Sequence, residues 1–319
     1  RTNPQNTYSC GVGIERMAIQ KSVVVLGPTA SGKSDVAMAA ATQRGEVHII
    51  AADAMQVYTR MDIGTAKPTR TDRDQVIHHG LDLAEPSERY TVARYMDDIA
   101  LARETIGAQN AAELIVGGTG LYVTAIVDGL QMPGEWPEIR AALEARDDTE
   151  GLFAELFALD PEATTKMEPN NRRRIIRALE VCLGSGEKFS SFGEGIGTFA
   201  PTDTRLIGIR WDRDILRERI ARRVGIMIQA GLVDEVTSLC AEPEGMSPTA
   251  RQALGYKEVI EFIEGRCSLD EAVAATVLRT QQFAVRQERW YRRDPRIEWV
   301  DVQKDPVAEV TPHVLGALA

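Results

Sequence analysis

The sequence predicts an α/β protein in which a parallel β-sheet is flanked by helices. The apolar run 22–26 (SVVVL) favours a buried strand, and the Ala- and Met-rich run 35–41 favours a helix. A second apolar run, 47–52, completes a strand–helix–strand unit, which is typical of parallel sheets. Between the first strand and the first helix lies GPTASGKS, 27–34, which has the P-loop form G-x-x-x-x-G-K-[ST]. These features together predict a P-loop NTPase-like fold.

The P-loop predicts a site for a di- or polyphosphate. Its glycines allow successive backbone N–H groups to surround phosphate oxygens at the start of a helix. Lys33 is placed to reach the outer phosphate, and the Ser34 hydroxyl is placed to bind Mg²⁺. The motif does not distinguish a kinase or an NTPase from another phosphate-handling enzyme.

Two more strand ends are predicted at the same edge of the sheet. The strand 47–52 ends at Asp53, and a third strand, 113–116, runs into the glycine turn 117–120 (GGTG). Because carboxyl ends of parallel strands share one edge, where open α/β sheets bind ligands, we expect Asp53 to act beside the P-loop. We expect its strand to lie next to the P-loop strand; a turn or capping role for Asp53 is the structural alternative. The chain shows no evident Walker B carboxylate, which weakens an NTPase interpretation.

Gly, Pro and Trp residues mark a change in composition at the start of 130–200. We interpret 130–200 as a helical insertion that grips a partner, and 17–129 with 201–319 as the P-loop α/β core. The polar segment 1–16 predicts a disordered extension, with Met17 as a possible natural start. The other elements predicted are helices at 91–109, 121–127, 138–146, 151–159, 161–167, 171–183, 212–230, 232–240, 249–264 and 270–293, and strands at 204–210 and 297–301.

The charge pattern of the 319 residues is uneven. With 37 basic and 47 acidic residues the net charge is −10, which disfavours a polyanion partner. Arginines nevertheless cluster at 172–177 and 279–296. Such clusters on an acidic chain indicate a localised anionic ligand, unless they are solvated helix faces with acidic neighbours.

The remaining composition favours a cytoplasmic protein. The four cysteines are scattered without metal-binding spacing, and no apolar run is long enough to span a bilayer, so we expect no membrane partner. His78 and His79 are adjacent and therefore face different ways. A packing or capping role is favoured over a metal site.

Seven blocks lie in order along nearly the whole chain from Met17. They are GPTASGKS (27–34), ADAMQVYTRMDIGTAKP (52–68), HHGLDLAEPSERYTVARY (78–95), GGTGLY (117–122), RRRIIRALEV (172–181), ALGYKEV (253–259) and RQERWYRRDPRIEWVD (286–301). MDIGTAKP, preceded by Asp-x-x-Gln-x-Tyr, is the most particular of them, whereas many enzymes share the P-loop. Together the blocks resemble the tRNA dimethylallyltransferase (tRNA isopentenyltransferase) family.

The resemblance implies transfer of a dimethylallyl group from its diphosphate to the exocyclic amine of the adenosine 3′ of the anticodon. It implies catalytic roles for Asp53, Thr29 and Lys33, and Mg²⁺ held by Ser34; we expect a monomer. The donor-binding residues that it implies are Gly27, Thr29, Ala30, Ser31, Gly32, Lys33, Ser34 and Arg286, the last being a better candidate than position 281. The residues implied to contact the anticodon stem-loop are Asp53, Ala54, Met55, Gln56, Thr119, Arg140, Arg173, Arg174 and Arg177.

One departure and two alternatives remain open. Gln281 and Val285 stand where the family pattern Thr-Arg-x-x-Ala-x-Arg-Gln leads us to expect basic residues. This argues against a diphosphate or tRNA role for position 281. An adenylate isopentenyltransferase that acts on free nucleotide is one alternative, although it needs neither the insertion nor the 172–177 arginines. A P-loop kinase of a small metabolite is the other.

Overall fold

The computed structural model describes residues 22–130, 132–192 and 197–319, and these form one six-stranded parallel sheet covered by helices on both faces. The predicted extension 1–16 and the start at Met17 lie outside the described residues. The strand order across the sheet is β3-β2-β4-β1-β5-β6. The strands are β1 Ser22–Leu26, β2 Val47–Ala52, β3 His78–His79, β4 Ala112–Gly117, β5 Arg205–Trp211 and β6 Ile297–Val302.

The helices alternate with the strands, as the strand–helix–strand pattern predicts. Most begin at a side chain that caps their first N–H groups; Ser268, for example, accepts from the Glu271 N–H and so begins the longest helix. In chain order the helices are α1 Lys33–Arg44, α2 Arg70–Gln75, α3 Val92–Ala108, α4 Gly120–Asp128, α5 Pro137–Glu144, α6 Thr149–Leu159, α7 Pro161–Thr165, α8 Arg172–Ser185, α9 Arg213–Gln229, α10 Leu232–Cys240, α11 Tyr256–Ile263, α12 Leu269–Tyr291 and α13 Pro306–Leu318.

The two faces of the sheet carry separate apolar cores. Val24 and Leu26 of β1 contribute to the larger cluster, which includes residues of α3, α4, α10 and α11. Val23 and Val25 point the other way and pack with α1 and α13. Because β1 is central and covered on both faces, it is a continuous apolar run rather than an alternating one.

The position of β2 differs from the sequence expectation. We expected the strand that ends at Asp53 to pair with the P-loop strand, but β4 lies between them and pairs with both. Apolar runs of similar length carry no local signal for which of them become neighbours. Asp53 still lies at the same edge, because all three strands are parallel and end together.

Other differences concern helices and one short strand. The single helix expected at 249–264 is wrong, because Gly255 adopts φ 86° and separates a short 3₁₀ turn, Ala250–Gln252, from α11. The sequence analysis also missed α2, β3 and α13. Helix α13 packs on the same face of the sheet as α1, and this tertiary contact outweighs its weak local helix preference.

Helices α5–α8, within the segment interpreted as an insertion, surround an apolar cluster of their own. The connections at its two ends lie side by side on the core. Arg296, after α12, donates from Nη1 to Asp128 Oδ1 (2.7 Å) and to the Ala200 carbonyl (2.8 Å). The division of the chain at 130–200 stays a prediction.

Candidate active site

A cavity of about 450 Å³ opens at the carboxyl edge of the sheet, where β1, β4 and β2 end. Both α/β turns predicted to bind ligands open into it. Its walls also include residues of α9, α12 and the loop after β2. The residues that carry polar or catalytic groups at this cavity include Thr29, Lys33, Ser34, Asp35, Asp53, Gln56, Thr119, Arg223 and Gln287.

Asp53 turns the chain at the end of β2. Its Oδ1 accepts hydrogen bonds from the backbone N–H groups of Met55 (2.9 Å) and Gln56 (3.4 Å). Among the described residues none donates a hydrogen bond to Oδ2. One carboxylate oxygen thus holds the turn, and the other is available to a group inside the cavity.

Thr119 joins the glycine turn after β4 to the end of β2. Its hydroxyl accepts from the Ala54 N–H at 3.1 Å, and its own N–H donates to the Ala52 carbonyl at 3.3 Å. Asp53 lies between these two contacts in the chain. Its position relative to β4 is therefore fixed from both sides.

Two cations near the P-loop, Lys33 and Arg223, are desolvated although carboxylates lie close to them. Burial of the Lys33 ammonium lowers its pKa to about 8; the nearby Arg223 guanidinium contributes, and the attraction of Asp53 opposes the shift. Burial also lowers the pKa of Arg223, against the pull of Asp53 and Asp35. Two desolvated cations that destabilise one another create a site where an anion binds favourably.

Helix α9 contributes further arginines to this region, which the sequence analysis did not identify. Arg219, Arg222 and Arg223 line a second opening of about 340 Å³ on the other side of Lys33 and Ser34. Arg219 Nε donates to the Ala30 carbonyl at 2.9 Å and so holds the P-loop backbone. The spacing 219, 222, 223 places the three arginines on one helix face, which is the sequence signal that could have identified them.

The MDIGTAKP loop forms one wall of the cavity. The Glu235 carboxylate accepts from three of its successive N–H groups, those of Asp62, Ile63 and Gly64, at 2.8–3.2 Å. The buried Lys67 ammonium donates to the Tyr58 carbonyl and to two aspartates at 2.6–2.7 Å. These hydrogen bonds and ion pairs hold the MDIGTAKP loop in place, so it forms a rigid wall of the cavity.

Gln56, predicted to contact tRNA, also supports this loop. Its side-chain nitrogen donates to the Thr65 carbonyl (3.0 Å) and the Ala66 carbonyl (3.3 Å). Ala54 and Met55 line the same part of the cavity. All three residues line the cavity together with Asp53.

The other P-loop residues surround the phosphate position predicted from the motif. Ala30, Gly32 and Ser34 line the second opening. Gly27 directly follows β1 and begins the turn into the P-loop, and Ser31 is fully buried. Gly32 has φ 93°, and a Cβ there would lie 2.6 Å from Pro306, so only glycine fits.

Arg286 and Gln287 are adjacent in α12 but face different surroundings. Arg286 is exposed, with its guanidinium 5.7 Å from the centre of the Phe283 ring, and it does not line the cavity. Gln287 is buried and lines the cavity. The sequence analysis singled out the charged member of this pair and missed the amide.

The predicted tRNA-binding arginines of the insertion divide into two groups. Arg140 and Arg177 bind the fully buried Glu180 carboxylate at 3.4 and 3.0 Å, and Arg177 also donates to the carbonyls of Pro133 and Gly134. Arg173 and Arg174 are exposed and form no ion pair with a described residue. Arg173 and Arg174 are therefore the pair whose charges are not neutralised by a described residue and can face an anionic ligand.

In the part of the chain that the structure describes, no cluster of three or more His, Cys, Asp or Glu side chains could hold a metal ion. His79 Nε2 lies 3.0 Å from His48 Nδ1, and His78 Nδ1 lies 2.8 Å from the Val76 carbonyl. The two adjacent histidines thus have separate structural partners. Across the described ranges no helix is long and apolar enough to cross a membrane.

Comparison with known proteins identifies the family. The family model for IPP transferase matches residues 56–294, and the model for isopentenyl transferase matches residues 20–78. The tRNA dimethylallyltransferase of Streptomyces coelicolor is 45% identical over 87% of this chain and 89% of its own length. That of Carboxydothermus hydrogenoformans is 39% identical over 93% of this chain and 96% of its own length.

Solved structures agree with the sequence relatives. The tRNA isopentenylpyrophosphate transferase of Bacillus halodurans superimposes with a TM-score of 0.67 at 34% identity, covering 94% of this chain and 97% of its own. The tRNA delta(2)-isopentenylpyrophosphate transferase of Staphylococcus epidermidis gives 0.67 at 29% identity, covering 93% and 98%. The chain belongs to the IPP transferase family.

Proposed function

We propose that this chain transfers a dimethylallyl group from dimethylallyl diphosphate to the exocyclic amine of the adenosine 3′ of the anticodon in tRNA. The observation that carries the proposal is one cavity in which two desolvated cations, Lys33 and Arg223, lie close enough to Asp53 to affect one another's charge. The cations suit a diphosphate, and the carboxylate suits an amine that must lose a proton. Relatives named tRNA dimethylallyltransferase support this assignment.

The diphosphate is the leaving group in this reaction. Thr29 to Ser34 hold it, with those backbone N–H groups that have no partner in the described part of the protein, and Lys33 and Arg223 stabilise the charge that grows as the carbon–oxygen bond breaks. Mg²⁺ fits here, because it prefers oxygen ligands and keeps several waters, so the Ser34 hydroxyl and the phosphates suffice as ligands. The ion would add further positive charge to the leaving group. Arg286 keeps its proposed donor role only if it moves towards the cavity.

Asp53 acts on the acceptor. The amine of adenine is a weak nucleophile, because its lone pair is delocalised into the ring. As nitrogen bonds to the allylic carbon, the carbon–oxygen pair of electrons leaves with the diphosphate and Asp53 Oδ2 accepts a proton from the amine. Thr119, Ala54, Met55 and Gln56 surround the base, which must leave its stack to reach this depth.

Arg173 and Arg174 are the insertion residues that we propose to contact the tRNA backbone, since both are exposed without an ion-pair partner among the described residues. Arg140 and Arg177 act indirectly, because their internal bonds shape α5 and α8. A monomer in the cytoplasm remains the expectation for the working enzyme.

The alternatives are less well supported. The isopentenyl transferase model matches only residues 20–78, whereas the IPP transferase model extends through the insertion to residue 294. A metabolite kinase would not need a helical insertion with exposed arginines beside α5–α7. These observations favour a tRNA acceptor over a free nucleotide.

The direct test incubates the protein with labelled dimethylallyl diphosphate and unmodified tRNA, followed by nucleoside analysis. We expect label on adenosine in tRNA. AMP in place of tRNA should yield no prenylated product, and ATP with small metabolites should yield no phosphate transfer. Label transferred to AMP but not to tRNA would contradict the proposal.

The Asp53→Asn variant tests the proton acceptor. The amide keeps the shape and one hydrogen-bond acceptor but cannot take the proton, so kcat should fall about 10²-fold or more. Single-turnover rates, tRNA affinity and melting temperature are measured together, with Asp97→Asn on the exposed face of α3 as the control. A near-normal rate would refute the role, and recovery at high Mg²⁺ would assign Asp53 to the metal instead.

The pH dependence of donor binding tests Lys33. With a pKa of about 8 in the free protein, its ammonium is charged below pH 8 and loses its proton as the pH rises through that value. Donor affinity without tRNA, measured by calorimetry, should therefore weaken above pH 8. The Lys33→Arg variant stays charged over this pH range, so the pH dependence of its donor affinity comes from the phosphates of the donor alone. Parallel curves for the two proteins would show that Lys33 does not face the diphosphate.

Replacing Arg173 and Arg174 together with Ala should weaken tRNA binding and reduce its salt dependence. Each lost phosphate contact lowers the slope of log K against log salt by about 0.9 for a duplex stem. The control replaces Arg44 and Arg205, two exposed arginines at the amino edge of the sheet that contact the Leu318 carbonyl and Glu298. Equal slopes for the test variant and the wild type would make the insertion pair ordinary surface residues.

A further inference from the structure

We infer that Gln287 is a positioning residue that sets the spacing between the donor and the acceptor halves of the cavity. This inference rests on the proposed function. Gln287 lies in α12, is 6% exposed, and is separated by 258 residues from one of its partners and by 169 from the other. It carries no charge, and its two hydrogen bonds in the structure are with the backbone.

Each end of the Gln287 side-chain amide binds a different turn at the cavity. Its Oε1 accepts from the Thr29 N–H of the P-loop at 2.8 Å, and its Nε2 donates to the Gly118 carbonyl at 2.7 Å. One partner is a donor and the other an acceptor, so the orientation of the amide is fixed. The single amide group therefore sets the distance between the P-loop and the glycine turn after β4.

Thr119 continues this connection to β2. Its hydroxyl and N–H bind Ala54 and Ala52, on either side of Asp53. Two side chains, Gln287 and Thr119, thus connect the ends of β1, β4 and β2 in their order across the sheet. The path leads from the turn that holds the diphosphate to the carboxylate that receives the proton.

The residues around Gln287 permit its close contact with the glycine turn. A Cβ at Gly118 would lie 2.5 Å from Gln287 Nε2, so this turn needs glycine for the close approach. One turn later in α12, the Tyr291 hydroxyl lies 3.4 Å from the Gly117 carbonyl. Because Gln287 accepts the Thr29 N–H, that group binds the protein rather than the donor, and Gln287 acts through position rather than by binding phosphate.

Loss of the bridge should affect chemistry more than binding. Each half of the cavity keeps its own ligand groups, so both substrates still bind. A shift of the two halves, however, moves the amine away from the allylic carbon, and a misplacement of about 1 Å can cost about 10²-fold in rate. Water can then attack that carbon: its oxygen bonds to carbon, diphosphate leaves with the electron pair, and a proton goes to solvent.

The experiment compares wild type, Gln287→Met and Gln282→Met. Methionine matches the length of glutamine without its hydrogen bonds, and Gln282 is the exposed control on the same helix. With donor and tRNA present, prenylated adenosine and released diphosphate are both measured. For Gln287→Met we expect kcat about 10- to 100-fold lower, KM for each substrate within about 3-fold, and more diphosphate than prenylated adenosine.

A purely structural role would give a different result. A lower melting temperature with an unchanged ratio of transfer to diphosphate release, or a large rise in one KM alone, would overturn the inference. If Gln287→Met does not fold, Gln287→Glu is used, since it retains the acceptor for Thr29 and loses the donor to Gly118; it is judged by the same ratio. A wild type that prenylates no tRNA would instead refute the proposed function.

Discussion

The candidate active site depends on two cations, Lys33 and Arg223, that burial destabilises. Desolvation disfavours the charged forms of both side chains, and the two cations repel one another, so the cavity is an unfavourable place for both. Asp53 offsets only part of this cost. An anionic ligand supplies the remaining charge, and the same arrangement strengthens its hold as negative charge accumulates on a leaving group.

Such a site needs a rigid support, because the surrounding groups must not collapse onto the cations. The central strand β1 is buried from Val23 to Leu26, and distant parts of the chain bind the loops that form the walls of the cavity. Arg219 holds the P-loop backbone from α9, while Glu235 holds the MDIGTAKP loop from α10. The long helices after β5 therefore complete the site that the first half of the chain begins.

This division explains which features could be predicted from the sequence. The strand 47–52, the helix 232–240 and the turn at Asp53 follow from short-range patterns, and the parallel topology brings Lys33, Asp53 and Thr119 to one edge. The place of β4 between β1 and β2 could not be predicted, because several apolar runs were equivalent. Nor could the role of Gln287, whose partners are far away in sequence and whose side chain is uncharged.

A run of arginines in a sequence does not show which of them are free to bind a ligand. Arg177 faces Glu180 and two carbonyls within the fold, whereas Arg173 and Arg174, on the same helix, face solvent. On the proposed function, exposed arginines without an ion-pair partner among the described residues are where tRNA would contact a chain of net charge −10. The acidic side chains would repel nucleic acid from other surfaces, so such arginines would govern orientation as well as affinity.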